Sequence, residues 1–257
     1  MLIHKLEQGT LKLEIYDTAA AAGEAAALAT AEAIRQSSRA GKLGVIFATG
    51  NSQLETLQAL ISMADIPWPA VIGFHLDEYV GISDQHPASF RRYLRTRLTQ
   101  RVPIGRFCEI DGSSANLAAT QREYARLLTE ATPQICLLGI GENGHLAFND
   151  PHEANFSDPE ILRIVELDAD CRQQQVNEGW FGALADVPQQ ALTLTIPTLL
   201  RVPKLIVSVP GRRKAQSVRR TLEDPISTAC PSTILRRHPD TTLYLDRESA
   251  AELSVAV

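Results

Sequence analysis

Residues 43–52, which read LGVIFATGNS, carry the pattern that decides the fold. Six residues without a polar side chain are followed by a polar turn that contains a glycine, and a helical pattern comes next. A short apolar run without polar alternation is typical of a strand covered on both faces, as in a parallel sheet. The pattern of an apolar run ending in glycine or acid returns at residues 70–76, 135–140 and 205–209.

Helical patterns lie between these runs. Asp17 is a candidate N-cap for an Ala-rich helix that reaches about Arg39. Apolar stripes at helical spacing follow at Leu54, Leu57, Leu60 and Ile61, at Phe90, Leu94 and Leu98, and at Tyr124, Leu127 and Leu128 of a helix over 117–131. The alternation of strand and helix predicts a doubly wound α/β fold, in which a mainly parallel sheet is flanked by helices. Without a visible repeat or linker, residues 1–257 are expected to form a single domain.

The composition excludes several classes of protein. Of the 257 residues, 44% are apolar and 21% charged, so the chain can bury a core and is neither disordered nor fibrous. Its 25 basic and 30 acidic residues give a net charge of −5, which argues against a nucleic-acid partner. No stretch is apolar enough to span a membrane, and the first residues do not resemble a secretory signal. We therefore expect a cytoplasmic protein without a membrane partner.

The cysteines and histidines show no metal-binding or disulfide spacing. The four cysteines contain no CxxC pair, and the six histidines form no short-spaced couple. The sequence therefore predicts no metal site. The thiols are expected to be buried or loosely exposed in a reducing compartment. They stand at Cys108, Cys136, Cys171 and Cys230.

Polar segments follow each of the four apolar runs. Because ligands bind beyond the carboxyl ends of the strands in such sheets, we expect these segments to converge. The first segment, Thr49-Gly50-Asn51-Ser52, has two interpretations. Ser52 and Glu55 form a capping-box pattern at a helix start, and the exposed N–H groups of a helix start also suit an anion. The segment matches neither a Walker loop nor a dinucleotide fingerprint.

Asp77 and Glu78 follow the second run. Neighbouring residues of an extended chain point in opposite directions, so at most one of the two faces the crevice. An acidic pair at a strand end is either a solvated loop or the source of a general base. If Asp77 faces the crevice, Glu78 points away and has a structural role.

Residues 139–150, GIGENGHLAFND, form the most informative stretch. Three glycines in six residues indicate positive φ or close approach of the backbone. His145 follows the last glycine, and Asp150 stands five residues further on, before Pro151. A histidine held by glycines at the end of a strand, with an acid nearby, favours catalysis over a structural role.

Two groups of basic residues need different explanations. Residues 211–214, GRRK, follow the fourth run and begin a helix, where cations oppose the positive end of the helix unless an anion balances them. A bound phosphate explains this placement better than a solvated surface. The second group is expected to form a solvated helix face or a subunit contact. It comprises Arg91, Arg92, Arg95, Arg97 and Arg101.

Together these motifs resemble the glucosamine-6-phosphate deaminase/isomerase family. The resemblance lies in TGNS at 49–52, LDEYVG at 76–81, GIGENGHLAFNDP at 139–151, ALTLTIPTLL at 191–200 and GRRKA at 211–215. It implies a Rossmann-like α/β fold. It also implies conversion of an amino-sugar 6-phosphate, glucosamine or galactosamine 6-phosphate, and water to a ketose 6-phosphate and ammonia. Neither a metal nor an organic cofactor is expected.

The resemblance also implies roles for individual residues. Asp77 is similar to the base that moves a proton from carbon 2 to carbon 1, and His145 to the residue that assists opening of the sugar ring. Asn143 falls where a residue orients that histidine, and Asp150 where an acidic partner stands, although better-known members have Glu there. The implied substrate contacts are Thr49, Gly50, Asn51, Ser52, Gly144, Lys214 and, as the candidate for an arginine on phosphate, Arg172.

Two other functions compete with this interpretation. A 6-phosphogluconolactonase of the same superfamily would use the same phosphate residues, but that group has a DER-type segment at DEYVG and continues as GHTAS where this chain has GHLAF. A non-catalytic phosphosugar sensor would carry a helix-turn-helix domain, for which the first forty residues leave no room. The sequence allows a homo-oligomer without specifying one.

Overall fold

A computed structural model describes residues 1–254 of the chain, and its main feature is an eight-stranded sheet. The strands of the molecule are β1 (Leu2–Gln8), β2 (Leu11–Tyr16), β3 (Leu43–Phe47), β4 (Val71–His75), β5 (Asp77–Tyr79), β6 (Arg106–Phe107), β7 (Ile135–Leu138), β8 (Leu162–Glu166), β9 (Gln190–Leu194), β10 (Lys204–Val209) and β11 (Thr241–Asp246). The helices are α1 (Ala19–Ser37), α2 (Leu54–Ile61), α3 (Phe90–Leu94), α4 (Leu117–Ala131), α5 (Ala169–Asn177), α6 (Ile196–Leu200) and α7 (Ala215–Glu223).

The sheet is mainly parallel, as the sequence predicts. Its strand order is β1-β2-β11-β10-β7-β3-β4-β6, and only the β1–β2 pair is antiparallel. From β3 the chain first extends the sheet through β4 to β6, then returns to place β7 on the other side of β3. This reversal makes the gap beyond β3 and β7 the topological switch point, where open α/β sheets bind ligands.

Helices cover both faces of the sheet. Val45 and Phe47 of β3 pack on the side that holds α1 and α2, whereas Ile46 packs on the side that holds α4 and α7. Because both faces of such a strand pack against helices, its side chains are apolar on both sides, and these runs are therefore continuously apolar. In α4, Tyr124 and Leu128 are buried, and Leu127 is half-buried.

A second, smaller sheet was not predicted. It is antiparallel, with the order β5-β9-β8, and it extends beyond the carboxyl edge of the main sheet because β5 starts two residues after β4 ends. Asp77 is the first residue of β5 and pairs with Thr193 of β9. The small sheet therefore fixes the backbone of Asp77 on a strand and not on a loop.

Two expected helix starts are wrong. The N-cap of α1 is Thr18, whose Oγ1 accepts from the N–H of Ala21 at 3.2 Å, while Asp17 forms an ion pair with the N-terminal amine. The α-helix ends at Ser37 and continues as a 3-10 turn over Ser38–Ala40, so the expected end near Arg39 is confirmed. Ser52 and Glu55 do not form a capping box, because Ser52 lies inside a 3-10 turn, Asn51–Gln53, that precedes α2. Its hydroxyl instead accepts from the Gln53 amide at 3.2 Å.

The arginine-rich helix face is solvated only in part. Arg91 is buried, and its guanidinium lies 3.2 Å from Glu78 and 2.7 Å from Asp111. The expectation of a solvated Arg91 is therefore wrong, because a charge buried behind β5 requires its partner. The remaining arginines of the group are exposed or half-buried.

The four cysteines are buried and unpaired. Among residues 1–254, no helix is long and apolar enough to cross a membrane.

Candidate active site

A cleft of about 580 Å³ opens at the switch point. The segments that follow β3, β4, β7 and β10 all contribute to it, so the expected convergence is observed. The predicted site residues on its wall are Thr49, Gly50, Asn51, Ser52, Asp77, His145 and Lys214. The side chains of Phe90, Phe148, Gln174, Gln175 and Glu178 line the same cleft.

One end of the cleft combines two similar turns. Gly50, with φ +87°, leads into the 3-10 turn that precedes α2, and Gly211, with φ +96°, leads into a 3-10 turn over Arg212–Lys214 that precedes α7. Lys214 alone of the three basic residues lines the cleft, and it is only 8% exposed. Burial lowers the pKa of Lys214, while the carboxylates of Glu178 and Glu142 act in the opposite direction. A buried cation between two helix starts suits an anionic group.

Asp77 supplies the carboxylate of the cleft. It is 6% exposed. Burial raises the pKa of Asp77 well above its ordinary value, and the charge of the adjacent Glu78 acts in the same direction. A carboxylate with a raised pKa is a stronger proton acceptor than a solvated one.

Glu78 points to the opposite side of the strand, as alternation predicts. Its carboxylate accepts hydrogen bonds from the Ser89 hydroxyl at 2.7 Å and from the backbone N–H groups of Phe90 and Arg91 at 3.1 Å. Glu78 therefore anchors the start of α3 and does not reach the cleft.

The His145 turn depends on two glycines. A Cβ at Gly141 would lie 2.2 Å from the imidazole of His145, so the ring occupies the space of a side chain. Gly144 has φ +89°, and a Cβ there would lie 2.5 Å from Sγ of Cys230. The sequence therefore needs glycine at both positions to bring the ring to the cleft.

His145 and Asp150 lie together behind the cleft wall. Nδ1 of His145 is 3.0 Å from Oδ1 of Asp150, so an aspartate reaches the ring although its side chain is one methylene shorter than glutamate. Asp150 is fully buried. Burial alone would raise the pKa of Asp150, but the His145 imidazole and the Asn143 amide hold it below its ordinary value.

Asn143 supports this pair without touching the imidazole. Its Nδ2 donates to Oδ1 of Asp150 at 3.0 Å, and its Oδ1 accepts from the backbone N–H of His145 at 3.0 Å. Asn143 does not line the cleft among the described residues. These contacts are consistent with the predicted role of Asn143 in orienting His145, which acts here through the backbone of His145 and the carboxylate of Asp150.

The match to known proteins identifies the family. The family model described as glucosamine-6-phosphate isomerases/6-phosphogluconolactonase matches residues 16–244. This chain belongs to that family.

Curated relatives of this family member carry one recurring name. A glucosamine-6-phosphate deaminase of Oenococcus oeni is 28% identical over 244 residues, which cover 95% of this chain and 99% of the relative. One of Exiguobacterium sibiricum is 36% identical over 180 residues, or 70% of this chain and 69% of the relative.

Solved structures agree with the family assignment. A structure described as a monomeric glucosamine-6-phosphate deaminase superposes with a TM-score of 0.87 at 30% identity, covering 93% of this chain and 99% of that one. The 6-phosphogluconolactonase of Trypanosoma brucei gives a TM-score of 0.78 at 19% identity, covering 94% and 98%. The second likeness shows the shared fold.

In this family member, Arg172 and Gly144 do not line the cleft. The Arg172 guanidinium donates to the carbonyl oxygens of Leu184 at 2.7 Å and Val187 at 3.1 Å. This position corrects the expectation that Arg172 holds phosphate, because it lies on the face of α5 that turns away from the cleft. Gly144 allows the positive φ that the His145 turn requires, but none of its atoms lines the cleft.

Sequence reasoning missed Phe90 and Phe148 on the cleft wall and two further parts of the site. One part is the wall formed by α5 and Glu178, the residue that follows it. This wall presents Gln174, Gln175 and Glu178 to the cleft, and not Arg172. The other is His75, which holds the backbone of Asp77 through its imidazole at 2.9 Å. A histidine two residues before an acid, inside an apolar run, is the signal that could have identified the second part.

Proposed function

We propose that this chain is an amino-sugar 6-phosphate deaminase/isomerase. It converts glucosamine 6-phosphate, or its galactosamine epimer, and water to the ketose 6-phosphate and ammonia. The observation that carries the proposal is one cleft that holds a buried lysine between two helix starts, a buried carboxylate, and a histidine backed by Asp150. The glucosamine-6-phosphate deaminases among its relatives support the same activity.

The phosphate is assigned to the end of the cleft that Lys214 lines. The turn over residues 49–52 provides the N–H groups of a helix start, and the Lys214 ammonium provides charge. A phosphate bound there offsets the cost of burying an ammonium group, because a buried charge needs a partner of opposite sign.

Asp77 is assigned the proton transfer. In the open-chain sugar it removes the proton from carbon 2 and delivers it to carbon 1. A proton of the amino group passes to oxygen 1, which leaves a hydroxyl at carbon 1 and an imine at carbon 2. Water then adds to this carbon, and ammonia leaves. One carboxylate serves both carbons because they are adjacent, and the raised pKa of Asp77 favours its action as both acceptor and donor.

His145 is assigned to opening of the sugar ring. Asp150 lies 3.0 Å from Nδ1, which leaves Nε2 as the ring nitrogen for proton exchange with the sugar. The carboxylate stabilises the imidazolium that forms when the ring accepts a proton. No metal or organic cofactor is required for these steps. The homo-oligomer stays a prediction, and one similar structure is described as monomeric.

The test is release of ammonia from glucosamine 6-phosphate and from galactosamine 6-phosphate by the purified protein, with formation of ketose 6-phosphate measured in parallel. We expect equal amounts of ammonia and ketose from at least one epimer. Hydrolysis of 6-phosphogluconolactone without ammonia release would instead assign the chain to the lactonase branch. Binding of phosphosugar with neither reaction would identify a sensor.

A further inference from the structure

Three potential metal ligands of different chemistry meet behind the cleft wall. A ring nitrogen of His145, a carboxylate oxygen of Asp150 and Sγ of Cys171 all lie within 4.8 Å of one another, and Nδ1 of His145 is the nitrogen 3.0 Å from Asp150. Cys171 is in the first turn of α5, where its N–H donates to Oδ1 of Asp168 at 2.6 Å. The spacings along the chain, five residues and then 21, match no metal motif, so only the fold reveals this cluster.

The cluster is not a closed hydrogen-bond network. Oδ1 of Asp150 lies 3.0 Å from Nδ1 of His145 and accepts from the Asn143 amide, whereas the buried Oδ2 has no hydrogen-bond partner among residues 1–254. Asp150 itself is fully buried. Buried polar atoms are normally satisfied, so an unpartnered carboxylate oxygen beside an imidazole and a thiol indicates a ligand.

We propose that His145, Asp150 and Cys171 form a zinc-binding site. Imidazole nitrogen, carboxylate oxygen and thiolate sulfur are the three ligand types of Zn²⁺, and three protein ligands leave a fourth position for water. A set that contains sulfur does not suit Ca²⁺ or Mg²⁺, which take oxygen ligands. Thiolate is the form of cysteine that ligates Zn²⁺, so binding releases the Cys171 thiol proton.

A second opening gives the metal a route to the cluster. Cys171 lines a groove of about 820 Å³ whose wall also includes Glu142, Asp170 and Arg220. Gln174 lines both this groove and the sugar cleft. Oε1 of Glu142 is buried there without a hydrogen-bond partner in the described chain. The Arg220 guanidinium is paired with Asp224 at 3.0 Å, so the carboxylates of Glu142 and Asp170 favour a cation in this groove.

Zinc in this site inhibits the enzyme. The metal occupies Nδ1 of His145 and the carboxylate of Asp150, and these are the groups that support ring opening. This consequence rests on the proposed function, whereas the binding site itself does not.

Cobalt(II) provides the direct test because its bond to thiolate absorbs in the near ultraviolet, where the zinc complex is silent. We expect this absorption when Co²⁺ is added to the reduced, full-length protein under anaerobic conditions. Zn²⁺ should displace the cobalt and abolish the band. In both Cys171→Ser and Cys171→Ala the band should be lost, and the affinity for Zn²⁺, measured by calorimetry, should fall by about tenfold or more.

Two control variants locate the signal. Cys108→Ala removes a different buried thiol, and His152→Ala disrupts the neighbouring group of Asp150, His152 and Asp168. Both should retain the cobalt band. The proposal is overturned if the parent protein gives no band, or if Cys171→Ser retains it with unchanged affinity.

Inhibition is measured separately. Zn²⁺ should slow ammonia release by the parent protein, chelator should restore the rate, and Cys171→Ser should resist zinc relative to its own metal-free rate. A cobalt band that depends on Cys171, combined with a zinc-insensitive parent enzyme, would refute the inhibition and leave the site. A protein that releases no ammonia would refute the proposed function, while the cobalt experiment would still decide the metal site.

Discussion

The imidazole of His75 connects the proposed base to the edge of the main sheet: Nδ1 donates to the carbonyl oxygen of Asp77 at 2.9 Å, and Nε2 accepts from the N–H of Ile110 at 2.7 Å. A backbone N–H can only donate, so Nε2 is unprotonated and the ring is neutral. Burial lowers the pKa of His75 to about 3, which keeps the ring neutral across the working range. His75 is thus a positioning residue for Asp77.

This arrangement predicts a pH-dependent stability. The pKa of His75 is about 3 in the folded protein and about 6.5 when unfolded, so the unfolded chain binds the extra proton between these values. The contribution of the neutral His75 to the free energy of unfolding is complete above pH 6.5. Below that pH it decreases by about 1.4 kcal/mol per pH unit as the pH falls toward 3. The free energy of unfolding, measured with urea at pH 7 and pH 5, should decrease more in the parent protein than in His75→Asn. An equal decrease in both proteins would contradict a neutral, buried His75.

Asp77→Asn should abolish most of the isomerisation. An amide cannot accept the carbon-2 proton, and general-base catalysis contributes roughly 10²–10⁴-fold. Turnover should therefore fall by at least about 10²-fold, while the substrate still binds. The measurement is exchange of the carbon-2 proton with deuterated water, followed by NMR. Glu78→Gln is the matched control and should lose less activity. Exchange at the parent rate in Asp77→Asn would exclude Asp77 as the base.

Lys214→Ala should raise KM for the sugar phosphate. Loss of a charge-assisted contact costs about 1.5–3 kcal/mol, which corresponds to roughly a 10- to 150-fold change. Inorganic phosphate should compete with substrate in the parent protein and compete poorly in the variant. Arg212→Ala is the control, because Arg212 belongs to the same turn but its side chain is 60% exposed. An unchanged KM in Lys214→Ala would refute the phosphate assignment.

Asp150→Asn should slow turnover of the ring-closed sugar. Without the carboxylate 3.0 Å from Nδ1, the His145 imidazolium loses its stabilising charge, and the loss in kcat should approach 10²-fold. Turnover of the open-chain form should fall less, because its ring is already open. Asp170→Asn, at an exposed neighbouring carboxylate, is the control. Equal losses for the two substrate forms would argue against a role in ring opening.

Arg91→Ala should destabilise the fold. It leaves Glu78, whose side chain is fully buried, without its cation, and breaking a buried ion pair costs about 3–5 kcal/mol. Arg92→Ala, on the exposed side of the same helix, should change the free energy of unfolding by less than about 0.5 kcal/mol. Urea denaturation compares the two. Similar stabilities would mean that Arg91 is dispensable for packing.

The sequence alone was sufficient for the four central strands of the main sheet, β3, β4, β7 and β10, and for the position of the cleft. Strands covered on both faces must be continuously apolar, and the segments after parallel strands must meet at one edge. Both consequences follow from local pattern and chain direction. For the same reason, the convergence of the turn at 49–52 with Asp77, His145 and Lys214 could be expected before any contact was known.

Only the tertiary structure decided which side chains touch. Arg91 and Arg92 are indistinguishable in a hydropathy pattern, yet one is buried against Glu78 and the other is exposed. Arg172 turns away from the cleft, and Cys171, one residue earlier, lies beside Asp150. Hydropathy reports whether a residue can be buried, but the partner of a buried charge or thiol depends on how helices pack across the sheet. That packing is set by many distant residues at once.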